Sequence, residues 1–222
     1  MDKQAQIRRR QMDRALRWSL LLFFGFLVVT QQVLTNGPLV SYDKEINSQP
    51  KPQFEGFAGF FLRRLDDLGL RSLTATVLLL AAGFIAYKFK TWRPLNLALI
   101  SLLSLNLVVG TFKIVLGRTK PRDGFDLLHA GGMSYPSGHA SNAVLSWGIL
   151  AYLIYRYAKV DRYQGRLASA GVVLISVTVC VVSLIRHTHW FSDLLGGLFV
   201  GSALLVAVIA IDRYVPSKSQ LH

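Results

Sequence analysis

The stretch RHTHWFSDLLGGLFVGSALLVAVIAI, residues 186–211, decides how this chain folds. From Phe191 to Ile211 it holds one charged residue, Asp193, among apolar and small side chains. That is the length of a membrane-spanning helix, which needs about 20 mostly apolar residues. Directly before it stand Arg186, His187, Thr188, His189 and Trp190. Five further stretches repeat the apolar pattern at about Trp18–Leu34, Ser72–Tyr87, Pro94–Leu116, Ala140–Tyr155 and Leu167–Ile185. The second and fourth are short, and flanking Lys88 and Arg156 can snorkel to the interface. The expectation is an all-α polytopic membrane protein, a single domain over residues 1–222 with six transmembrane helices.

Composition agrees with that expectation. The chain has 222 residues, 52% hydrophobic and 17% charged, with a mean hydropathy of +0.38. A soluble domain carries about 25% charged residues, so this chain lacks the polar surface that water demands. Disorder is excluded by the same apolar content. The single cysteine, Cys180, excludes an intramolecular disulfide and any Cys-rich zinc site. The net charge of +13 does not point to nucleic acid, because the basic residues punctuate hydrophobic runs and form no stripe with interleaved aromatics.

Those punctuating charges set the topology. Six spans put both termini on one side, together with loops two and four. Lys3, Arg8, Arg9, Arg10, Arg14 and Arg17 lie there, with Lys88, Lys90 and Arg93, then Arg156, Lys159, Arg162 and Arg166, and finally Arg213 and Lys218. Most of the 25 Lys and Arg residues therefore fall on the side of the termini, which the positive-inside bias places in the cytoplasm. The basic N-terminus is an orientation signal rather than a cleavable leader, since the apolar run after it exceeds a signal-peptide core and lacks a small-residue cleavage site. The first outer loop, residues 35–71, carries Phe54, Phe57, Phe60 and Phe61, followed by Arg63, Arg64, Asp66 and Asp67. This spacing predicts an amphipathic helix, in the outer interface or packed on the bundle. No internal repeat is present, which weighs against a transporter.

Polar residues near membrane depth are costly and are candidates for function. Three groups stand at outer ends of spans: Lys113 with Arg118, Lys120 and Arg122; Tyr135 to His139; and Arg186 to Asp193. Clustered cations suit a polyanion, of which phosphate is the commonest. Pro136-Ser137-Gly138-His139 has the form of a helix start, whose free N–H groups bind anions. His189 and Asp193 are four apart and share a helical face. A carboxylate on one imidazole nitrogen fixes the tautomer and activates the other as a nucleophile. His139 is then free to act as general acid. His187 lies about 200° around a helix from His189 and is structural or solvated. Asp123 and Asp126 are taken as loop solvation, and His129 and His222 carry no assignment.

These residues resemble the type 2 phosphatidic acid phosphatase superfamily, which shares its active site with the vanadium haloperoxidases. Its pattern is K-x6-R-P, then P-S-G-H, then S-R-x5-H-x3-D. Here Lys113 is followed by Lys120-Pro121, Pro136-Ser137-Gly138-His139 is intact, and His189 precedes Asp193 by the required spacing. Two positions depart. Lys120 stands where the first motif has arginine, losing the planar fork that Arg118 or Arg122 could supply. Val182-Ser183 stand where the third motif has Ser-Arg, and Arg186, one turn closer to His189, is the substitute candidate.

The resemblance implies a lipid phosphate or pyrophosphate phosphatase acting through a phosphohistidine. His189 attacks phosphorus, Asp193 orients it, and His139 protonates the leaving oxygen. Lys113, Lys120, Arg186, Ser137 and the Gly138 N–H hold the phosphate, with Arg118 a further phosphate-binding candidate. No metal or other cofactor is implied. The partners are the bilayer and a membrane lipid phosphate at the extracytoplasmic face, with no nucleic acid. A polyprenyl pyrophosphate is favoured as substrate, because a small protein without extra domains suits carrier recycling. Phosphatidylglycerophosphate, phosphatidic acid or a phosphorylated glycolipid are alternatives, as is transfer of the phosphoryl group to a lipid acceptor. From a different class, a binding or transport protein with a lapsed site would need the cations but not two opposed imidazoles.

Overall fold

A computed structural model describes residues 3–158 and 160–215. Lys159, Lys218 and His222 lie outside the described residues. The described chain is helical and without strands: α1 (Lys3–Leu34), α2 (Pro38–Ser48), α3 (Gly56–Asp66), α4 (Arg71–Lys88), α5 (Arg93–Leu116), α6 (Gly138–Tyr157), α7 (Arg162–Ile185) and α8 (Phe191–Tyr214). Short 3-10 turns occupy Asp67–Gly69 and Pro121–Asp123. Residues 35–71, expected as the first outer loop, thus hold two helices where the aromatic spacing predicted one. In α3 the phenylalanines face outward, Phe57 being 83% exposed, while Gly59 and Asp66 are buried.

Among the described residues, five helices, those beginning in α1, α4, α5, α7 and α8, are long and apolar enough to cross a membrane. The sixth expected span, α6, does not qualify by composition. Ser141, Asn142, Ser146 and Gly148 take the place of aliphatic residues there, and all four are buried. α6 sits in the middle of the bundle against α4, α5, α7 and α8, so its surroundings are protein rather than hydrocarbon. The outer helices show the opposite pattern, with Leu103, Leu107 and Ile114 of α5 each exposed. So broad an apolar surface belongs in lipid.

Small residues let α8 lie close on α6. A Cβ at Gly197 would stand 2.5 Å from the Ser137 carbonyl oxygen, and one at Gly201 would stand 2.8 Å from that of Ser141. This four-residue spacing of glycines is the small-residue contact that brings membrane helices together. Gly201→Ala is expected to cost about 1–3 kcal/mol through forced separation of backbones. Gly83→Ala, with nothing within 4 Å of the added carbon, should instead stabilise by about 0.5–1 kcal/mol. Thermal unfolding of the two variants in detergent checks the opposite signs.

At the end of the bundle near the chain termini, buried Asp212 of α8 ties three helices together. It accepts from Arg93 Nε of α5 at 2.7 Å and from Tyr152 Oη of α6 at 2.6 Å, and it pairs with Arg156 of α6. The opposite end is left to the polar motifs.

Candidate active site

The C-terminal end of α5, the N-terminal ends of α6 and α8, and the turn before α4 meet around a cavity of about 260 Å³. Lys113, Lys120, Gly138, His139 and His189 line it, joined by Arg71, Asn106 and Asn142. α5 ends there because Gly117 adopts a left-handed conformation, φ 54°, which glycine takes at little cost. Its N–H closes the last turn on Lys113 O at 3.0 Å. α6 starts with Ser137 as N-cap, its Oγ accepting the Ala140 N–H at 3.3 Å. The turn Asp67–Gly69 lies directly on His139, since a Cβ at Gly69 would be 2.7 Å from the His139 carbonyl oxygen.

The His139 and His189 rings face each other across this space with centroids 6.1 Å apart. His189 is buried, and its Nδ1 lies 3.4 Å from Asp193 Oδ2. Their pairing is not made within a helix, as the four-residue spacing suggested. His189 precedes α8, and Asp193 reaches back from its first turn to accept the Trp190 N–H at 2.9 Å. Trp190 Nε1 in turn donates to Thr119 O at 2.9 Å, fastening this loop to the one after α5. Asp193 also accepts from Ser134 Oγ and from Arg118 at 2.8 Å. With Nδ1–H directed at the carboxylate, the lone pair of Nε2 is left free. Burial pushes the His189 pKa below the ordinary histidine value against the pull of Asp193, and Lys113 and Lys120 add to the lowering. The imidazole is therefore neutral near pH 7.

The candidate cations separate into two sets. Lys113 donates to the Met133 and Ser134 carbonyls and lines the cavity, as does Lys120. Arg118 does not, and its assignment as a phosphate ligand is corrected. The side chain is wholly buried and bonded to Asp126 by two hydrogen bonds of 2.7 Å, to Asp43 at 2.8 Å, to Asp193 at 2.8 Å and to Ser192 at 2.7 Å. Every direction of the guanidinium fork is taken by protein. Arg186 is likewise outside the lining, paired with Asp66, whose carboxylate also accepts from Ser183 Oγ at 3.0 Å. Arg122 is exposed and does not line the cavity.

Ser137 is fully buried as a cap, and its backbone N–H donates to Asp193 O at 2.9 Å. Its hydroxyl is therefore structural, whereas Gly138 opens on the cavity, with only Lys113 Cε near, 3.8 Å from where a Cβ would sit. His187 turns away to Asn47 Oδ1 at 2.7 Å, although neither it nor His189 lies in a helix, so the expected helical angle is not the cause. Asp126 is not loop solvation, because it grips Arg118, while Asp123 accepts the Lys120 N–H at 2.9 Å. Sequence reasoning missed Asp43, whose carboxyl burial raises above the ordinary range although Arg118 opposes this. It also missed Asp66, Arg71 and Asn106. An Asp within a helix of a long polar loop carried no spacing signal, but Asn106 inside an apolar span was a visible anomaly.

Helices of membrane length, two imidazoles opposed across a cationic cavity and a carboxylate behind one of them define a class. The chain belongs to the PAP2 superfamily, matching it over residues 94–216, and is a membrane phosphatase of that group. Phosphatidylglycerophosphatase B of Bacillus subtilis (strain 168) is 26% identical over 202 residues, covering 87% of this chain and 94% of the relative. In the solved crystal structure of the first transmembrane PAP2 type phosphatidylglycerolphosphate phosphatase from Bacillus subtilis, the fold is shared with a TM-score of 0.79 at 22% identity. The match covers 90% of this chain and 98% of that one.

Proposed function

We propose that the chain hydrolyses a phosphomonoester on a membrane lipid, with phosphatidylglycerophosphate as the substrate. The observation that carries this reading is the pair of imidazoles 6.1 Å apart across a cavity lined by Lys113 and Lys120. A phosphoryl group between them has a nucleophile on one side and a proton donor on the other. His189 Nε2 forms the bond to phosphorus as the bond to the lipid oxygen breaks, and His139 gives that oxygen its proton. His139 then takes a proton from water, whose oxygen attacks phosphorus and releases His189 and inorganic phosphate. Lys113, Lys120 and the Gly138 N–H meet charge on the equatorial oxygens, most strongly in the transition state.

The choice among lipids rests on the relatives, which are named as phosphatases of phosphatidylglycerophosphate. Polyprenyl pyrophosphate, favoured from sequence alone, becomes the second reading. Arg71 and Asn106, hydrogen-bonded to each other at 3.0 Å at the cavity's α4–α5 side, are placed to touch a headgroup beyond the scissile bond. The charge bias puts the termini in the cytoplasm and this cavity at the extracytoplasmic face, where α3 rests its phenylalanines in the interface. Metal is not required in this reading, because fixed cations line the cavity while Asp43 and Asp126 are bonded to Arg118.

The test is phosphate release by the purified protein in detergent from phosphatidylglycerophosphate, phosphatidic acid and polyprenyl pyrophosphate, with EDTA present. Fastest release from the first, unaffected by EDTA, is expected. Faster release from the pyrophosphate would replace the substrate, and loss of activity with EDTA would end metal independence. Lys120→Arg should keep or raise kcat/KM by up to about tenfold, since a bidentate fork binds phosphate oxygens better than a point charge. A hundredfold loss would show that Lys120 does not meet the phosphate.

A further inference from the structure

At the end of the bundle opposite the histidines, α7 packs on α6 but stands off α8. The gap is a mostly apolar cavity of about 870 Å³ between the three helices, with Ser169 and Val173 of α7 and Leu205 of α8 in its wall. Its size falls in the range of about 300–1,000 Å³ typical of ligand sites. Arg162, Arg166 and Arg213 line its polar end, where α7 begins and α8 stops. All three are exposed, and none makes an ion pair among the described residues. The nearby carboxylates are engaged elsewhere: Asp161 accepts the Gln164 N–H at 2.8 Å as the cap of α7, and Asp212 is held by Arg93 and Arg156. Asp13 is the other described acidic residue at this end and does not line the cavity. Beyond α8 the positive charge continues, because Arg213 also borders a second groove with Arg8 and Arg14 of α1.

We propose that this groove is a site for an anionic phospholipid of the leaflet opposite the active site. An acyl chain lies between α7 and α8, and the phosphodiester sits among Arg162, Arg166 and Arg213. The arrangement separates an apolar slot from uncompensated cations at headgroup level, which is what distinguishes an anionic lipid from a zwitterionic one. A second copy of this chain would bring the same arginines against their equals, so charge disfavours it as the occupant. The site is independent of the substrate reading, since it shares no residue with the histidine cavity.

The experiment titrates the purified protein in dodecyl maltoside with dioleoyl phosphatidylglycerol or dioleoyl phosphatidylcholine and follows the unfolding midpoint. The midpoint should rise with the first lipid and not with the second. R162A/R166A/R213A should weaken the apparent affinity by about tenfold to a hundredfold, while R162K/R166K/R213K keeps it. Ser169→Trp, which fills the slot and leaves every charge, should also lose the response. All these variants should keep wild-type turnover in lipid-free detergent. Lys113→Ala should keep the response, separating this groove from the active site. An undiminished response in the triple alanine variant, an equal response to phosphatidylcholine, or a response lost in Lys113→Ala would overturn the proposal. So would dimerisation of the wild type that the alanine variant abolishes.

Discussion

Alanine at position 189 is expected to lower phosphate release by at least about 10⁴-fold while the protein remains folded, because the atom proposed to bond to phosphorus is gone. His139→Ala should be less severe, about 10²–10⁴-fold, since it removes proton transfer and leaves the nucleophile. The two losses should not multiply in the double variant, as both residues serve one step. A His189→Ala protein within tenfold of wild type would end the nucleophile assignment. The pH dependence carries the same residue's signature. The proposed reaction needs neutral His189, and burial lowers its pKa. The acid limb of kcat/KM should therefore lie below about 6.5, the ordinary histidine value. The matching stability contribution is present above the unfolded-state pKa and is lost as pH falls through the lowered folded-state value. An acid limb above pH 6.5 in the free enzyme would contradict the buried, neutral imidazole.

What the sequence showed and hid follows from the kinds of interaction involved. The lipid-facing helices were legible because hydrocarbon imposes one requirement, apolar length, on each residue in turn. α6 resists that reading since its neighbours are protein, and Ser141 and Asn142 bond to carbonyls of Ser137 and Gly138. That His139, His189, Asp193 and Lys113 come together at one end of the bundle was legible through motif spacing, since each stands on or beside a helix end. The division of the arginines was not. Arg118 and Lys120 are near neighbours in one cationic run, and only tertiary structure shows that three carboxylates surround the first while the second lines the cavity. Of those carboxylates, Asp126 reads from sequence as loop solvation and Asp43 carries no assignment there. Asp66, which takes Arg186 away from the expected phosphate contact, arrives from α3, in the same stretch between α1 and α4 as Asp43.

Arg118 is the residue whose loss should unfold the active site rather than merely slow it. Its guanidinium joins α2 through Asp43, the loop after α5 through Asp126, and the first turn of α8 through Asp193 and Ser192. It also stacks on Trp190, its Cζ 5.4 Å from the ring centre. Removing one partner from such a cluster leaves buried carboxylates uncompensated, and Arg118→Met should cost about 3–5 kcal/mol. Arg118→Lys keeps one charge but cannot serve three carboxylates, so an intermediate loss of about 1.5–3 kcal/mol is expected. The unfolding midpoint in detergent orders the three proteins. A purely structural tie would leave the chemistry of surviving molecules unchanged, whereas this one sits behind the orienting carboxylate. Without the Arg118 charge, the field of Asp193 on His189 is less offset, and the His189 pKa rises. The acid limb of kcat/KM should therefore move to higher pH in Arg118→Met and stay near its wild-type position in Arg118→Lys. Stability within about 1 kcal/mol of wild type in Arg118→Met would mean that the three segments are held by apolar packing alone, since an uncompensated buried charge costs more than that.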